Sequence, residues 1–356
     1  MSASAEPHPH APHLEVRSVS RRFESPPGFG ERVAGWFGTG AEPAVVRAVD
    51  AADLQVRRGE VLGLVGESGC GKSTLGRMMA GILPPTAGEI LLGGQPVMGP
   101  GPHGRKTTSR VQMIFQDPFA SLDPRMRIGE ALAEGPVAHG LAGAGEAQAY
   151  VAQWLQRVGL PTDSAQRYPH QFSGGQRQRI AIARALAMQP DTLICDEPVA
   201  SLDVSIQAQV LNLFLQLKAE LSLTIVFISH HLGVVQHLCD RVAVMYLGRI
   251  VEVAPVAALD GQARHPYTRA LLDSVPRLDL ASDSNTISLP VPIQGELPSP
   301  LNPPPGCHFH QRCPWAERRC GEQAPAPEDV GTHHRVSCHR WREVEGLRPT
   351  APRNGL

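Results

Sequence analysis

Residues 66–74 have the sequence GESGCGKST, and this stretch decides the fold class. It fits the pattern G-x-x-x-x-G-K-S/T, in which glycines let successive backbone N–H groups turn inward around a phosphate group. The apolar residues 61–65 precede it as a buried strand would, and residues 75–80 after it favour a helix. The amino-terminal end of such a helix adds positive potential. The order of strand, glycine-rich loop and helix therefore predicts a nucleotide phosphate site.

Two side chains of this loop have expected chemical roles. Lys72 should reach the β- and γ-phosphates, and Ser73 should supply a hydroxyl group to Mg²⁺. The alternative is a turn that binds nothing, which is disfavoured because every fixed position of the pattern is present together with both flanks. The loop residues predicted to bind the nucleotide are Gly66, Ser68, Gly69, Cys70, Gly71, Lys72, Ser73 and Thr74.

An acidic pair follows a second apolar stretch. Residues 192–195 are apolar enough for a buried strand, and Asp196 and Glu197 come directly after them. A carboxylate at the exposed end of a strand beside a phosphate loop suits a water-mediated contact to Mg²⁺. Glu197, one residue further on, can polarise the water that attacks the γ-phosphate. Solvated acids at a strand end are the alternative, and the phosphate loop makes the functional interpretation the better one.

The remaining pattern indicates an α/β fold. Apolar stretches at 192–195 and 224–228 flank a helical pattern at 206–221. Strand, helix and strand in repetition predict a parallel sheet with helices on its faces. The other predicted elements are strands at 14–19 and 89–92, a hairpin joining 53–56 to 61–65, helices over 128–160 with a break near 140–145, a helix over 176–188, and a long loop at 25–43.

Composition limits the class of protein. The 356 residues suffice for about two domains, and 42% hydrophobic residues allow a buried core. Lys plus Arg number 33 and Asp plus Glu 34, and this balance excludes a broad electrostatic surface for nucleic acid. The sequence has no run of 18 apolar residues, and its amino terminus lacks the order of a signal peptide. We therefore expect a cytosolic chain that binds no nucleic acid.

Residues 172–179 (FSGGQRQR) are similar to the signature motif LSGGQ of ATP-binding cassette (ABC) proteins, with Phe172 in place of the usual leucine. The phosphate loop precedes this segment and the acidic pair follows it, which is the order of the family. The chain therefore resembles an ABC-type ATPase subunit. The resemblance implies a P-loop NTPase-type nucleotide-binding domain with a helical subdomain, which binds ATP and Mg²⁺.

The remaining family motifs come in the same order. Gln116 lies in a segment similar to the Q-loop, Asp203 in one similar to the D-loop, and His230 matches the switch histidine. Phe23 lies where the family has an adenine-stacking aromatic residue, and core packing is the alternative for it. The resemblance implies that Lys72, Gln116, Glu197 and His230 are catalytic, and that Ser73, Gln116 and Asp196 lie at Mg²⁺. It also implies that a facing subunit's ATP is bound by Ser173, Gly174, Gly175 and Gln176 of the signature.

Further segments narrow the resemblance to the ATP-binding subunits of oligopeptide/dipeptide (peptide/nickel) importers. These segments are 168–172 (YPHQF), 203–210 (DVSIQAQV), 265–271 (HPYTRAL), 295–300 (GELPSP) and 306–314 (GCHFHQRCP). The resemblance implies a peripheral protein on the cytoplasmic face of the inner membrane that powers peptide import. It further implies pairing with a second homologous ABC ATPase subunit as a homodimer or heterodimer. Two transmembrane permease subunits and an extracytoplasmic peptide-binding protein are the other implied partners.

The expected domains follow from the motifs and the composition. They are a disordered leader at 1–13, an ABC ATPase domain at 14–275 with its helical subdomain at about 117–190, and an irregular small C-terminal lobe at 276–356, the oligopeptide/dipeptide transporter C-terminal region with its four-cysteine motif.

Three other functions deserve comparison. An importer of nickel or another small solute is compatible with the sequence, because specificity lies in the partner subunits. A soluble non-transport ABC ATPase is disfavoured, since the chain has one phosphate loop and one signature with no heptad-bearing insertion between them. A scaffold that binds ATP without hydrolysing it would lack Lys72, Glu197 or His230, and all three are present.

The seven cysteines are distributed unevenly. Cys70, Cys195 and Cys239 are isolated in the sequence, and the other four lie close together in the C-terminal tail. In a reducing compartment such a group indicates metal binding more than disulfides. The pattern C-x5-C-x6-C-x17-C matches neither common ferredoxin runs nor C-x2-C zinc pairs. The tail cysteines are Cys307, Cys313, Cys320 and Cys338.

Some members of the resembled subfamily carry an iron–sulfur cluster on such a tail, so the resemblance favours a 4Fe–4S cluster here. Zn²⁺ is the alternative, with His308, His310 or His339 nearby, and free thiols are the remaining interpretation. We expect this centre to lie remote from the phosphate site, so that its loss spares ATP binding.

Overall fold

The computed structural model describes residues 12–24, 44–101, 104–118, 122–274, 277–278, 287–288 and 295–344. The predicted loop at 25–43 and most of the predicted leader lie outside these ranges. Pro12 and His13, however, belong to the first strand. His13 is buried, and its carbonyl oxygen accepts a hydrogen bond from the Gly93 N–H at 2.8 Å. These two residues therefore belong to the first strand and not to the predicted leader.

The strands and helices have the following bounds. The strands are β1 (Pro12–Glu24), β2 (Val45–Arg57), β3 (Val61–Val65), β4 (Ala87–Leu92), β5 (Gln95–Pro96), β6 (Val111–Ile114), β7 (Thr192–Asp196), β8 (Thr224–Ile228), β9 (Arg241–Tyr246), β10 (Arg249–Pro255), β11 (Arg277–Leu278), β12 (Ile287–Ser288), β13 (Glu328–Gly331) and β14 (His334–Val336). The α-helices are α1 (Lys72–Met79), α2 (Ile128–Ala138), α3 (Ala147–Arg157), α4 (Gly174–Leu186), α5 (Val204–Leu221), α6 (Leu232–Leu238), α7 (Val256–Gln262), α8 (Pro266–Asp273), α9 (Arg318–Glu322) and α10 (Trp341–Val344).

An eight-stranded sheet carries the centre of the fold. Its strand order is β13-β14-β10-β9-β3-β8-β7-β6, and β9, β3, β8, β7 and β6 run parallel to one another. Every residue of β3, β7 and β8 is buried, as expected for strands that are covered on both faces. The predicted α/β class with a parallel sheet is confirmed.

The predicted hairpin between 53–56 and 61–65 is wrong. β2 lies in a separate antiparallel sheet of order β2-β1-β4-β5, whereas β3 lies in the middle of the parallel sheet. The turn at Gly59 passes from one sheet to the other, and the Gly59 N–H donates to the Thr224 hydroxyl at 3.0 Å. β2 alternates buried and exposed residues over 52–56, while β3 is apolar throughout. A strand with one solvated face and a strand with two covered faces belong to different layers.

The predicted helices are largely confirmed. The break expected near 140–145 falls between the end of α2 and the start of α3. α4 and α5 cover the helical patterns predicted at 176–188 and 206–221. Helices α2, α3 and α4 pack through buried apolar residues that include Leu132, Trp154 and Ile180. Among the described helices, none is both long enough and apolar enough to cross a membrane.

The tail is less irregular than its composition indicates. β14 pairs antiparallel with β10, so this part of the tail extends the main sheet. His334 of β14 lies 2.7 Å from the carboxylate of Glu252 in β10. Burial acts to raise the pKa of Glu252, but hydrogen bonds from His334 and from two backbone N–H groups outweigh it and lower the pKa. A strand of three residues is too short to show a periodic pattern, which explains why the sequence did not predict it.

Candidate functional site

The glycine-rich loop lies between β3 and α1, and two of its glycines have no room for a side chain. A Cβ on Gly66 would lie 2.1 Å from the Met245 carbonyl oxygen, and one on Gly71 would lie 2.2 Å from that of Ala48. Gly71 also has a φ of 108°, in the left-handed region that glycine tolerates. These contacts hold the loop against β9 and β2 and fix the start of α1.

Lys72 begins α1, and its side chain turns back over the loop. Its ammonium group donates to the carbonyl oxygens of Gly66 and Glu67, each at 2.8 Å, and the residue is only 5% exposed. Cys70 is buried beneath it, and burial raises the pKa of the Cys70 thiol. Ser68 and Gly69 form the exposed tip of the loop. The predicted loop residues thus surround the ammonium group of Lys72.

Ser73 and Asp196 form the first polar pair beside the loop. The Ser73 hydroxyl donates to a carboxylate oxygen of Asp196 at 2.8 Å, across a separation of 123 residues. Asp196 ends β7 and is 3% exposed. Burial raises the pKa of Asp196, against the hydrogen bond from Ser73. A hydroxyl and a carboxylate in contact are oxygen donors of the kind that Mg²⁺ binds, so these two residues fit the predicted metal ion.

Glu197 is held between two polar side chains. One carboxylate oxygen accepts from the Gln116 amide at 3.1 Å, and the other lies 3.1 Å from Nδ1 of His230. Glu197 has a φ of 46°, which is rare for a residue other than glycine, and its N–H donates to the Ile228 carbonyl at 3.0 Å. The backbone is thus fixed at the strand end, in a conformation typical of functional sites.

The parallel sheet explains why these groups meet. The loop follows β3, Glu197 follows β7, His230 follows β8 and Gln116 follows β6. β3, β8, β7 and β6 are consecutive neighbours in the sheet, and their carboxyl ends share one edge. Ligands of open α/β sheets bind at this edge. Residues dispersed over 165 positions of sequence therefore form one site.

The signature segment opens α4. Ser173 caps the helix: its hydroxyl accepts from the Gln176 N–H at 3.4 Å, and the Gln176 side chain accepts from the Ser173 N–H at 3.0 Å. A Cβ on Gly175 would lie 2.5 Å from Ile206 of α5, so glycine is needed where the two helices meet. Ser173 and Gly174 are exposed. Phe172, the departure from the usual motif, is 4% exposed and packs in the core, where either apolar residue can serve.

Two predicted residues stand apart from these contacts. Asp203 is exposed and precedes α5 as its N-cap residue, with no side-chain cap hydrogen bond. Phe23 lies at the end of β1 and is 38% exposed, and the Arg21 guanidinium lies 4.7 Å from its ring centroid. The alternative of core packing is therefore wrong for Phe23. A half-exposed ring is available for stacking.

The four tail cysteines come together. They line a cavity of about 20 Å³, which His265 and Phe309 also line. Burial raises the pKa of the thiols of Cys313 and Cys338 to about 12, so both are protonated at neutral pH. Across the described residues, no group of three or more His, Cys, Asp or Glu side chains is arranged to hold a metal ion. The arrangement alone therefore does not support the predicted iron–sulfur or zinc centre.

A tail residue contacts the phosphate loop, whereas the sequence predicted only that the cysteine centre lies remote from it. Arg312, which directly precedes Cys313, donates to both carboxylate oxygens of Glu67 at 3.0 and 3.1 Å. The Tyr267 hydroxyl accepts from the Glu67 N–H at 2.8 Å. Sequence reasoning missed these contacts because they span 245 and 200 residues. The only signal was that Tyr267 and Arg312 belong to segments that the resemblance singled out.

Family profiles match two parts of the chain. The profile described as ABC transporter matches residues 49–200, and that of the oligopeptide/dipeptide transporter, C-terminal region, matches residues 251–320. The chain is 46% identical over 331 residues to the oligopeptide transport ATP-binding protein AppF of Bacillus subtilis, covering 92% of this chain and 97% of that relative.

Another relative and a solved structure agree with these matches. The di/tripeptide transport ATP-binding protein DppF of Pseudomonas aeruginosa is 47% identical over 304 residues, which cover 85% of this chain and 93% of that protein. The structure of cbiO1 from Clostridium perfringens, part of the ABC transporter complex cbiONQ, superposes with a TM-score of 0.56 and 26% identity, over 70% of this chain and 91% of that one. The resemblance stated from the motifs is confirmed. The chain belongs to the family of ABC transporter ATPases, in the branch with an oligopeptide/dipeptide transporter C-terminal region.

Proposed function

We propose that this protein hydrolyses ATP to power the import of oligopeptides or dipeptides through an ABC transporter. The observation that carries the proposal is the Glu197 carboxylate, held by Gln116 and His230 at the edge of the sheet where the phosphate loop begins α1. A carboxylate fixed at this edge can orient the water that attacks a terminal phosphate. We infer the class of cargo from the relatives AppF and DppF, which are named as oligopeptide and di/tripeptide transport ATP-binding proteins.

Each residue of the site has a proposed task. Lys72 leaves its two carbonyl partners to bind the β- and γ-phosphates, and the glycine-rich loop and the start of α1 donate backbone N–H groups to them. Ser73, Gln116 and Asp196 would hold Mg²⁺, and the ion would neutralise charge on the phosphates. Glu197 polarises the attacking water, and His230 keeps Glu197 in place while it contacts the γ-phosphate.

A second ATPase subunit completes each site in this proposal. Ser173 and Gly174 are exposed at the start of α4, where N–H groups and the helix dipole can bind the nucleotide of a facing copy or homologue. Val204, next to the D-loop residue Asp203, is 83% exposed, and an apolar side chain this exposed suits burial against a partner. Homodimer and heterodimer are both compatible with this surface.

The permeases are proposed to dock in a groove of about 710 Å³ beside the helical subdomain. Phe115 and Met188 give it an apolar floor, and Lys106, Glu134 and Arg184 supply charges around it. Such a lining suits an amphipathic helix. Phe115 directly precedes Gln116, so movement of a docked helix can reach Glu197. Docking of this kind would hold the protein on the cytoplasmic side of the inner membrane, beneath permeases that receive cargo from an extracytoplasmic binding protein.

We further propose the domain limits given by the motifs. The ATPase domain covers residues 14–275, with α2, α3 and α4 forming the helical subdomain at about 117–190. The C-terminal region covers 276–356. The contact of β14 with β10 supports a C-terminal region that is docked on the ATPase domain.

We expect the isolated protein to hydrolyse ATP slowly, because each site lacks the signature of its partner. Phosphate release is measured for the chain alone, with its cognate ATPase, and in vesicles with the permeases. Turnover should rise at each step, and rise again when the binding protein carries a di- or oligopeptide. Stimulation by Ni²⁺ but by no peptide would assign the cargo to the nickel branch. Fast turnover by the lone monomer, independent of protein concentration, contradicts the proposal.

The last part of the proposal concerns Cys307, Cys313, Cys320 and Cys338, which we propose to ligate a metal centre. Four thiols that line one cavity are the donor set of both a 4Fe–4S cluster and Zn²⁺. A cavity of about 20 Å³ has room for a single ion, so a four-iron cluster requires these loops to open. Bound metal would displace the thiol protons and contribute directly to folding of the tail.

Iron, sulfide and zinc are assayed in protein purified anaerobically from its own host. We expect metal near one centre per chain, and Cys313→Ser should lower the metal content and destabilise the tail. Cys239→Ala is the control, because Cys239 is buried in the main core and does not line the cavity of the tail cysteines. Zinc without iron would retain the ligand set and overturn the iron–sulfur assignment. Protein free of both metals would overturn the centre altogether.

A further inference from the structure

The phosphate loop contains a carboxylate whose charge opposes its function. Glu67 is the second residue of the loop, and the neighbouring Lys72 ammonium bonds to the Glu67 carbonyl oxygen at 2.8 Å. A triphosphate bound here carries several negative charges, and a free carboxylate a few ångströms away would repel it. The loop therefore needs something that neutralises Glu67 and keeps its side chain away from the nucleotide.

Arg312 meets both needs. Its guanidinium donates to both carboxylate oxygens of Glu67, and its side chain is 6% exposed. It also donates to the Tyr246 hydroxyl at 3.4 Å, which fixes its direction. Arginine keeps its charge at all accessible pH values, and its side chain here is buried while that of Glu67 is 25% exposed, so the carboxylate faces a permanent, partly desolvated positive charge.

The contact is rigid on both sides. Tyr246 and Tyr267 pack edge to face with ring centroids 4.7 Å apart, and Phe309 lies within 5.3 Å of both rings. Tyr267 accepts the Glu67 N–H, so the same aromatic group holds the backbone of Glu67 and supports its ionic partner. Because Glu67 is hydrogen-bonded both at its carboxylate oxygens and at its backbone N–H, its side chain is held away from the phosphates.

Arg312 belongs to the cysteine-bearing part of the tail. It ends the short helical turn His310–Arg312, between Cys307 and Cys313. A second contact anchors this segment, since Arg249 donates to the Gly306 carbonyl at 3.3 Å. The position of Arg312 is thus set by the fold of the tail and not by the ATPase motifs.

We propose that Arg312 is a positioning residue for ATP binding: it neutralises Glu67 and holds it clear of the phosphates, so that the tail determines nucleotide affinity. This inference rests on the proposed function of the loop as an ATP site. It goes further by assigning a role to a residue outside every nucleotide-binding motif. It also implies that whatever disorders the tail weakens ATP binding.

The test is a double-mutant cycle on the full chain with Mg²⁺-ATP, read as the dissociation constant by titration calorimetry. Arg312→Ala leaves Glu67 charged and free, and should weaken binding about tenfold, equal to about 1.4 kcal/mol. Glu67→Gln removes the charge and should stay within about threefold of the wild type. The double variant Arg312→Ala/Glu67→Gln should recover most of the loss, because there is no longer a charge to neutralise.

Recovery in the double variant separates this role from a merely structural one, since loss of packing around Arg312 would persist in it. Arg318→Ala is the control, because Arg318 lies in the same tail, is 91% exposed and pairs with Glu322. If Arg312→Ala does not fold, the same cycle is run with Arg312→Gln and carries the same expectations.

Unchanged affinity in Arg312→Ala would overturn the inference, and so would a loss that Glu67→Gln does not recover. A wild-type chain that does not bind ATP would instead refute the proposed function. The two failures are therefore distinguishable.

Discussion

Glu197→Gln should bind ATP with nearly wild-type affinity and lose hydrolysis by a factor of about 10²–10⁴ in the assembled transporter. The glutamine keeps the length and shape of the side chain, so it can still contact Gln116 and His230, each of which lies 3.1 Å from a different carboxylate oxygen of Glu197. It cannot accept a proton from water. Because ATP binds and is not consumed, the two ATPase subunits should remain as a closed, nucleotide-bound dimer.

Phosphate release and gel filtration with ATP measure the two effects separately. Glu89→Gln provides the same chemical change on β4, where Glu89 is exposed and pairs with Arg17, and it should leave turnover unchanged. Steady hydrolysis by Glu197→Gln at the wild-type rate would remove Glu197 from the catalytic role. Loss of ATP binding in this variant would instead show that the carboxylate serves to build the site.

The centre of the fold could be predicted because its signals are local. Uninterrupted apolar runs predicted the bounds of β7 to within one residue and those of β8 without error. The glycine pattern correctly predicted that α1 follows β3. Their side-by-side arrangement follows from the rule that strand, helix and strand units form parallel sheets. Once parallel pairing is accepted, the carboxyl ends of β3, β7 and β8 must share an edge. The placement of Lys72, Glu197 and His230 at this one edge could therefore be predicted from the sequence alone.

What could not be predicted rests on long-range contacts between short elements. β14 has three residues, and its pairing with β10 depends on the buried Glu252 and His334, which a hydropathy pattern presents as surface residues. The hairpin assigned to β2 and β3 failed because a turn signal at Gly59 shows where the chain bends and not which layer it enters. Arg312 was missed for the same reason, since no local pattern says which carboxylate an arginine will meet.

Lys72→Ala should have a different effect from Glu197→Gln, because it removes both binding and catalysis. The ammonium group is the only cation that the described loop residues 66–74 carry, and Lys72 as a whole is 5% exposed. Its loss removes the one side-chain cation of the loop and leaves its backbone N–H groups and Mg²⁺ to offset the phosphate charge, so the dissociation constant for ATP should rise at least tenfold. Turnover should fall by a further 10²–10³, typical of losing one electrostatic contact to the transition state.

Nucleotide titration and phosphate release on the same preparations separate the two losses in Lys72→Ala. Lys218→Ala is the matched control, because Lys218 lies on α5 and bonds to Asp240 at 3.0 Å, outside the site. Both variants should keep the stability of the wild type to within about 1 kcal/mol, since Lys72 donates to two carbonyl oxygens and to the Cys70 sulfur at 3.8 Å, and the net contribution of such bonds to stability is small. Wild-type affinity in Lys72→Ala would mean that the loop binds phosphate through its backbone alone. In that case the charge at residue 72 serves the chemical step only, and the proposed role of Lys72 in ATP binding is wrong.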